Sequence, residues 1–277
     1  MNTNRLVRLT REIRFYLSAD CAPQVAGPVL NSWSGWPSGI AVAPFLSLQC
    51  TLQGPIDPRT DYVCNVKHVD AILRQHAISE VWTKIGATPS TTTPAILLHE
   101  FWRSTTAHIP AGTTLNELRL RVSPYLSFSL NQASLPMIQA SQQFEFSAAH
   151  RLHNLSLSDA ENRTLYGKCN NPHGHGHNYV LEVSLELSPE RAQDYSTSPT
   201  EQIVKSKVVD RLDHRNLNLE VPPFDRLNPT VENIAVTIWD WLVGDFAPPC
   251  RLARVRVYET PKTWADYSGP IDVDGDP

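Results

Sequence analysis

Alternation of apolar and polar residues is clearest in the second half of the chain, where it predicts three strands. Aromatic and β-branched residues partly alternate with polar ones near residues 143–150 and again near 178–188. A third stretch, from Arg251 to Glu259, alternates along its whole length. Alternation places one face of each strand against a core and the other towards water.

Between the second and third of these strands, the spacing of apolar residues changes to that of a helix. One helix is predicted after Pro199, with an apolar face of Ile203, Val204, Val208, Val209 and Leu212. A second is predicted to begin at Thr230, a residue type that caps helices, with Glu232 in its first turn. Its buried side is predicted to consist of Ile234, Ile238, Trp241 and Leu242.

The first half repeats this order with weaker patterning. Strands are predicted at 12–18, 40–52 and 118–130. Between the last two, one helix is predicted near 66–76, where Asn65 can cap it, and another after Pro94. The sequence therefore predicts an α+β protein with the order β-β-α-α-β in each half.

Internal similarity supports a tandem duplication. RFYLSAD corresponds to FEFSAAH and LRLRV to ARVRV, at offsets of about 130–135 residues. The polar segment 131–141 is predicted to be a linker, so the units are predicted at 1–135 and 139–277. The first half has Asp20 where the second has His150, and lacks counterparts of HGHGH and LDHRNLN. It is predicted to keep the frame without metal or catalytic residues.

Composition narrows the class of protein. Hydrophobic residues make up 41% of the 277 residues and charged residues 19%, as expected of a chain that buries a core. No apolar run approaches the ~20 residues of a membrane helix, and the N-terminus lacks the apolar core of a signal peptide. Five scattered cysteines are typical of reduced thiols, so a cytoplasmic location is expected. A net charge of −4 gives no general attraction to nucleic acid or acidic membranes.

One stretch, FEFSAAHRLHN…LYGKCNNPHGHGHNYVLEVSLEL at 144–187, concentrates metal-ligand chemistry. His175 and His177 are two residues apart and share one face of a strand, while His150 ends the preceding strand. Three imidazoles with one open position form the usual ligand set of catalytic zinc. His173 also stands two residues before His175, but it does not lead into the strand and is predicted to lie in the loop.

Other residues in this half have two interpretations each. Cys169 is either a reactive thiol or a fourth ligand that would make the metal site structural. LDHRNLN, which holds Asp213 and His214, is either catalytic or only a loop whose side chains satisfy the end of a helix. Glu259 follows an alternating strand and is either functional or simple strand-end polarity.

Five motifs in series resemble one known family. SAAHRL, LYGKCNNPHGHGHNY, LDHRNLN, NPTVENIA and VYETP cover about 120 residues and resemble 6-pyruvoyl-tetrahydropterin synthase and its relative 6-carboxytetrahydropterin synthase. The resemblance implies the T-fold, a four-stranded antiparallel sheet with two helices on one face, assembled into oligomers with sites between subunits. It implies zinc on His150, His175 and His177, and 7,8-dihydroneopterin triphosphate as the substrate.

The resemblance also implies roles for the remaining site residues. Cys169, Asp213 and His214 are implied in proton transfer, and Glu259 in anchoring the pterin ring. Thr230 and Glu232 occupy motif positions on the substrate side. The expected activity is a zinc-dependent lyase that eliminates triphosphate to give 6-pyruvoyl-tetrahydropterin.

Three alternatives stay open. One is a 6-carboxytetrahydropterin synthase of the queuosine (deazapurine) branch, and another is a pterin-binding protein without turnover, because half of the predicted units lack the chemistry. The third is a structural zinc protein with Cys169 as a ligand. Three two-unit chains would supply six units, so a homotrimer is the expected oligomer.

Overall fold

The computed structural model describes residues 5–16, 44–79, 81, 92–246 and 248–270. The chain divides into two compact units, one of Met1–Ala140 with Leu187–Asp194 and one of Ser141–Glu186 with Tyr195–Pro277. Each unit combines strands and helices, which confirms the α+β class. The duplication itself stays a prediction, and the position of Asp20 lies outside the described residues.

The first unit is an antiparallel sheet with two helical segments. Its strands are β1 (Leu6–Tyr16), β2 (Phe45–Pro55), β3 (Thr114–Ser123) and β4 (Leu126–Asn131), hydrogen-bonded in that order. Helix α1 (Val66–Ala71) continues as a π-helical segment, Ile72–Ile78, and α2 spans Pro94–His108. Asn65 caps α1 as predicted, because its side chain accepts a hydrogen bond from the Lys67 amide.

Two predictions for the end of this unit were wrong. The strand predicted at 118–130 is a hairpin. Ser123 pairs with Leu126, and the turn between them consists of Pro124 and Tyr125. Proline has no amide proton for the ladder, so the pattern on its two sides belongs to two strands. The linker predicted at 131–141 is shorter, because its last four residues already belong to the next strand, β5 (Ile138–His150).

Four strands and one short bridge make up the sheet of the second unit. Strand β5 is followed by β6 (His175–Leu187), the two-residue β7 (Arg215–Asn216), β8 (Cys250–Thr260) and β9 (Thr263–Tyr267). The hydrogen-bonded order is β5-β6-β8-β9, and β7 pairs in parallel with β5. Strand β9, which pairs antiparallel with β8, was not predicted.

Two short helices precede the predicted ones along the chain, and the second of them, within Leu187–Asp194, belongs to the first unit. Helix α3 (Asp159–Tyr166) begins with a complete capping box between Ser158 and Glu161, and α4 spans Pro189–Gln193. Helix α5 (Thr197–Val204) begins before Pro199 and not after it as predicted, because Ser196 is its cap. It continues as a π-helical segment, Lys205–Val209, and a last turn, α6 (Asp210–Leu212).

The remaining helices are α7 (Leu217–Glu220) and α8 (Val231–Leu242), which packs on β8 and β9. Thr230 caps α8 as predicted, accepting from the Asn233 amide. Trp239, not the predicted Trp241, is the buried tryptophan of α8 and contacts Tyr267 edge-on. Within the described ranges, no helix has the length and apolar character to cross a membrane.

Candidate active site

Three predicted ligands converge where strands β5 and β6 meet. His150 is the last residue of β5, and His175 and His177 lie at the start of β6 on one face. One ligand atom from each lies within 4.8 Å of the others, and the Nε2 atoms of His150 and His175 are 3.2 Å apart. Among the described residues, this is the one cluster with such geometry.

Burial and one hydrogen bond fix the state of His150. Its side chain is fully buried, and Nδ1 lies 2.8 Å from the carbonyl oxygen of Pro229. Because a carbonyl can only accept, Nδ1 carries the proton and Nε2 presents a lone pair to the other histidines. Burial lowers the pKa of His150 to about 4, and burial also lowers the pKa of His177. Both rings are therefore neutral near pH 7, the form that binds metal.

The donor set fits a metal ion. The Nε2 of His177 is buried without a hydrogen-bond partner, and the facing nitrogens of His150 and His175 cannot both donate to each other. Tetrahedral zinc with bonds of about 2.0–2.1 Å separates its nitrogen ligands by ~3.3 Å. The observed 3.2 Å between two of these nitrogens matches that separation.

Glu259, near the end of β8, lies against this cluster. Its Oε1 atom is 3.5 Å from the Nε2 of His150 and 3.7 Å from the Nε2 of His177. The side chain is 19% exposed, so the carboxylate is partly shielded from water. It is placed to act on whatever group occupies the open side of the three histidines.

Tyr179 packs against His150 of the cluster and was not predicted as a site residue. It is fully buried, stacks on Phe146, and its hydroxyl lies 3.4 Å from Nδ1 of His150. Burial raises the pKa of Tyr179, and the charges of Glu259 and Cys169 raise it further. The phenol therefore stays neutral and packs against the buried histidine.

Glycine at position 174 lets the two strands approach. Gly174 has φ +71°, and a Cβ atom there would lie 2.9 Å from the carbonyl oxygen of His150. Gly167 also has a positive φ, +53°, but a Cβ there would meet nothing within 4 Å. The two positions share backbone strain and differ in steric crowding.

We expect Gly174→Ala to cost about 2 kcal/mol more in unfolding free energy than Gly167→Ala, because only the first adds a clash to the strain. It should also weaken metal binding, since the clash pushes on the first ligand. Chemical denaturation of both variants measures the difference. Equal losses from the two variants would contradict the crowding argument.

Acid should destabilise the metal-free protein through His150. Its pKa falls from 6.5 in an exposed state to about 4 when folded, so the unfolded chain binds the proton first. The contribution of neutral His150 to the free energy of unfolding is fully present above about pH 6.5. It is lost as the pH falls towards about 4, by about 3 kcal/mol in total. The glutamine of His150→Gln can still donate to Pro229 and does not titrate. Urea melts after chelation should therefore show a shallower pH dependence for the variant, and an identical dependence would contradict the prediction.

Asparagine side chains hold the backbone after His150. Asn218 accepts from the Arg151 amide at 2.7 Å and donates to its carbonyl at 3.0 Å. Asn228 accepts from the amide of His153, and Asn170 donates to the carbonyl of Leu152. These residues come from three of the sequence motifs, so much of the motif content fixes the loop beyond the first ligand.

Cys169 lies in a short 3-10 segment, Gly167–Asn170, which precedes strand β6. Its carbonyl accepts from the Leu152 amide at 2.8 Å, and its half-buried side chain lines one cavity with His175. The thiol is absent from the set of converging ligand atoms. That placement favours the reactive thiol over the fourth ligand.

Asp213 and His214 form a hydrogen-bonded pair beside β5. His214 Nδ1 donates to Asp213 Oδ2 at 2.8 Å, and Asp213 Oδ1 accepts from the Ser147 amide at 2.8 Å. These bonds lower the pKa of Asp213, with the Ser147 amide as the largest cause. His214 has φ +57° and its side chain is 83% exposed. Asp213 thus accepts a hydrogen bond from a backbone amide, as the loop interpretation predicts. It also orients the exposed imidazole of His214.

The pair and the thiol line different cavities. His214 shares a shallow cavity of about 400 Å³ with His177, whereas Cys169 and His175 line one of about 700 Å³. Among the described residues, the thiol and the Asp213–His214 pair therefore lie at separate cavities beside the histidine cluster.

Comparison with known proteins covers this second unit. The sequence profile described as 6-pyruvoyl tetrahydropterin synthase matches residues 139–270. The 6-pyruvoyl tetrahydrobiopterin synthase of Drosophila melanogaster is 40% identical over 142 residues, which is 50% of this chain and 84% of the relative. The chain belongs to the 6-pyruvoyl tetrahydropterin synthase family. The predicted family is confirmed.

Three further similarities each cover about half of this chain. The human 6-pyruvoyl tetrahydrobiopterin synthase is 41% identical over 133 residues, 47% of this chain and 91% of that protein. The solved Caenorhabditis elegans 6-pyruvoyl tetrahydropterin synthase is 40% identical, covers 49% of this chain and 97% of its own, and gives a TM-score of 0.45. The 6-carboxy-5,6,7,8-tetrahydropterin synthase of Haemophilus influenzae is more distant, 24% identical over 155 residues.

Two residues predicted on the substrate side of the 6-pyruvoyl tetrahydropterin synthase fold lie at the start of α8. The Thr230 side chain is engaged in the helix cap, and Glu232 is exposed in the first turn. Pro229, one residue before the cap, is the partner of His150. The start of this helix therefore belongs to the site through its backbone, a contact that the sequence does not reveal.

Proposed function

We propose that this chain is a zinc-dependent lyase that converts 7,8-dihydroneopterin triphosphate to 6-pyruvoyl-tetrahydropterin and releases triphosphate. The observation that carries the proposal is the convergence of His150, His175 and His177, with Glu259 at their open side, in a member of this family. Zinc, the substrate and the lyase reaction belong to the proposal.

Zinc bound by the three histidines would act as a Lewis acid on the oxygens of the substrate side chain, easing the loss of neighbouring protons. Cys169 is the base in this proposal, since a thiol beside a cation is deprotonated more readily. His214 is the second proton carrier. Asp213 holds the proton on its Nδ1 and leaves Nε2 free to exchange one.

The two carboxylates divide the remaining work. Glu259 anchors the pterin ring in this proposal, because its carboxylate can accept from the 2-amino and N3–H donors together, and it lies within 3.7 Å of two nitrogens of the histidine cluster. Glu232 is exposed in the first turn of the helix that begins beside His150, and it keeps its predicted place on the substrate side. Thr230 keeps its capping role in this scheme.

Separate cavities for Cys169 and His214 support a site completed by a second copy of the chain. We expect Cys169→Ala and His214→Ala each to lose most of their turnover alone and to regain turnover when unfolded together and refolded as mixed oligomers. Activity regained on mixing would support shared sites. Mixed oligomers that form but show no more activity than the separate variants would contradict shared sites.

The decisive experiment incubates zinc-loaded protein with 7,8-dihydroneopterin triphosphate and identifies the products by mass spectrometry. Triphosphate with 6-pyruvoyl-tetrahydropterin is expected. If acetaldehyde and 6-carboxytetrahydropterin form instead, the chain is a 6-carboxytetrahydropterin synthase and the proposed function is wrong.

A pterin-binding protein without turnover is the second candidate. It is favoured by the separation of Cys169 and His214, which line different cavities. An inert protein that binds zinc and a pterin in the same incubation would establish it.

A further inference from the structure

The carboxylate of Glu259 faces nitrogen lone pairs and not a cation. Its Oε1 atom lies 3.5 Å from Nε2 of His150, which presents a lone pair because the proton of that ring is on Nδ1. The Nε2 atom of His177, 3.7 Å from Oε1, is buried without a hydrogen-bond partner. Within the described part of the chain, Glu259 makes no hydrogen bond and no ion pair with lysine or arginine. A largely shielded carboxylate in such surroundings needs a positive charge beside it.

The spacing around Glu259 is close to that of ligands around one metal ion. Two ligands of tetrahedral zinc are ~3.3 Å apart, and Oε1 lies 3.5 and 3.7 Å from two of the three nitrogens. Glu259 is nevertheless outside the set of three converging residues. It approaches the cluster from one side, so the three histidines form the fixed part of the site and the carboxylate is the part that can leave.

The backbone of Glu259 is held in place while its side chain is not. Val257, on the same face of β8, is fully buried, and Tyr258 pairs with Trp264 of β9. The side chain of Glu259 has several rotatable bonds, and no protein donor fixes its carboxylate. Rotation of this one side chain is therefore enough to bring the carboxylate to the cluster or to take it away.

The proposed function gives this carboxylate a second partner. The 2-amino and N3–H groups of a pterin ring are parallel donors, and a carboxylate binds them best with both oxygens turned towards the ring. That orientation competes with an approach to the histidine cluster. One side chain then has two alternative partners, the metal and the ring.

We propose that Glu259 is a displaceable fourth ligand, which closes the metal position in the substrate-free protein and is drawn away by the pterin ring. This inference rests on the proposed function. The carboxylate stays ionised and exchanges a metal ion for two N–H donors, so no proton or electron is transferred. Small anions that lack the ring must compete with Glu259 for the metal, whereas the substrate removes it. Recognition of the ring is thereby coupled to access to the metal.

The test uses the cobalt(II)-loaded protein, because zinc has a filled d shell and gives no visible spectrum. Azide is the probe for an open position, and it is titrated with and without saturating pterin, the ring without a side chain. In the wild type, pterin should raise the azide affinity by about 10- to 100-fold. Glu259→Gln should bind azide that tightly without pterin, and pterin should change its azide affinity by less than about twofold.

Zinc affinity in the absence of pterin is the second measurement, made by competition with a chromophoric chelator. Glu259→Gln should lose about 10- to 100-fold. Glu259→Asp keeps the charge but shortens the reach, and it should also lose affinity. Glu145→Gln is the matched control, because Glu145 is exposed and lies on the face of β5 opposite to His150. It should match the wild type in both measurements.

Two results would overturn the inference: a wild-type azide affinity that saturating pterin leaves unchanged, or a Glu259→Gln variant that matches the wild type in azide or zinc affinity. Turnover of 7,8-dihydroneopterin triphosphate by the zinc-loaded protein, measured separately, tells this failure from failure of the proposed function. Turnover without the pterin effect removes the displaceable ligand and keeps the lyase. The pterin effect without turnover removes the lyase and keeps the displaceable ligand.

Discussion

His177→Ala should lose the metal and all measurable turnover. It removes one of three converging nitrogens, the one that is buried without another partner. The affinity for zinc should fall by more than about 100-fold, the loss reached when only an outer partner of a ligand is disturbed. Competition with a chromophoric chelator measures the affinity.

His173→Ala is the matched control for this loss. His173 is exposed, lies in the turn before β6, and is outside the cluster, so its removal should leave zinc affinity unchanged. Equal zinc affinity in His177→Ala and wild-type protein would reject the ligand set. Loss of zinc from His173→Ala would make the rival triple the better one.

Cys169→Ala should lower kcat by about 10²- to 10⁴-fold while one zinc per chain is retained. That range is typical of removing a group that transfers a proton in the rate-determining step. Retention of zinc is expected because the thiol does not converge with the three nitrogens. Single-turnover kinetics and metal analysis of the same preparation give both quantities.

Cys250→Ala provides the comparison for Cys169→Ala. Cys250 begins β8, at the opposite end of that strand from Glu259, and should tolerate the change. Loss of zinc together with activity in Cys169→Ala would favour a four-coordinate structural site. Unchanged kcat would remove the thiol from the mechanism.

Local patterning predicted the elements of this chain better than their ends. Alternation found β5, β6 and β8, and capping residues found the starts of α1 and α8. It missed β9 because five residues after a tight turn are too short for a period to emerge. It joined β3 to β4 because the apolar pattern continues across Pro124.

The histidine cluster was predictable because two of its members follow from spacing alone. Residues 175 and 177 share a face of any strand, whatever the fold around it. The Pro229 carbonyl, Tyr179 and the asparagines at 170, 218 and 228 were not predictable as parts of the site. Their roles depend on contacts between segments far apart in sequence, and their chemistry (a carbonyl, a phenol, amides) is common along the whole chain.

The bond from His150 to the Pro229 carbonyl links the histidine cluster to the start of α8. Since that carbonyl belongs to the main chain, no side-chain substitution at position 229 can reverse the proton position on the imidazole. In the proposed zinc site, metal binding and formation of the first turn of this helix are therefore thermodynamically coupled. If the cluster holds a metal as proposed, a change that stabilises the first turn of α8 only when His150 is in its metal-binding position would raise the metal affinity by the same free energy.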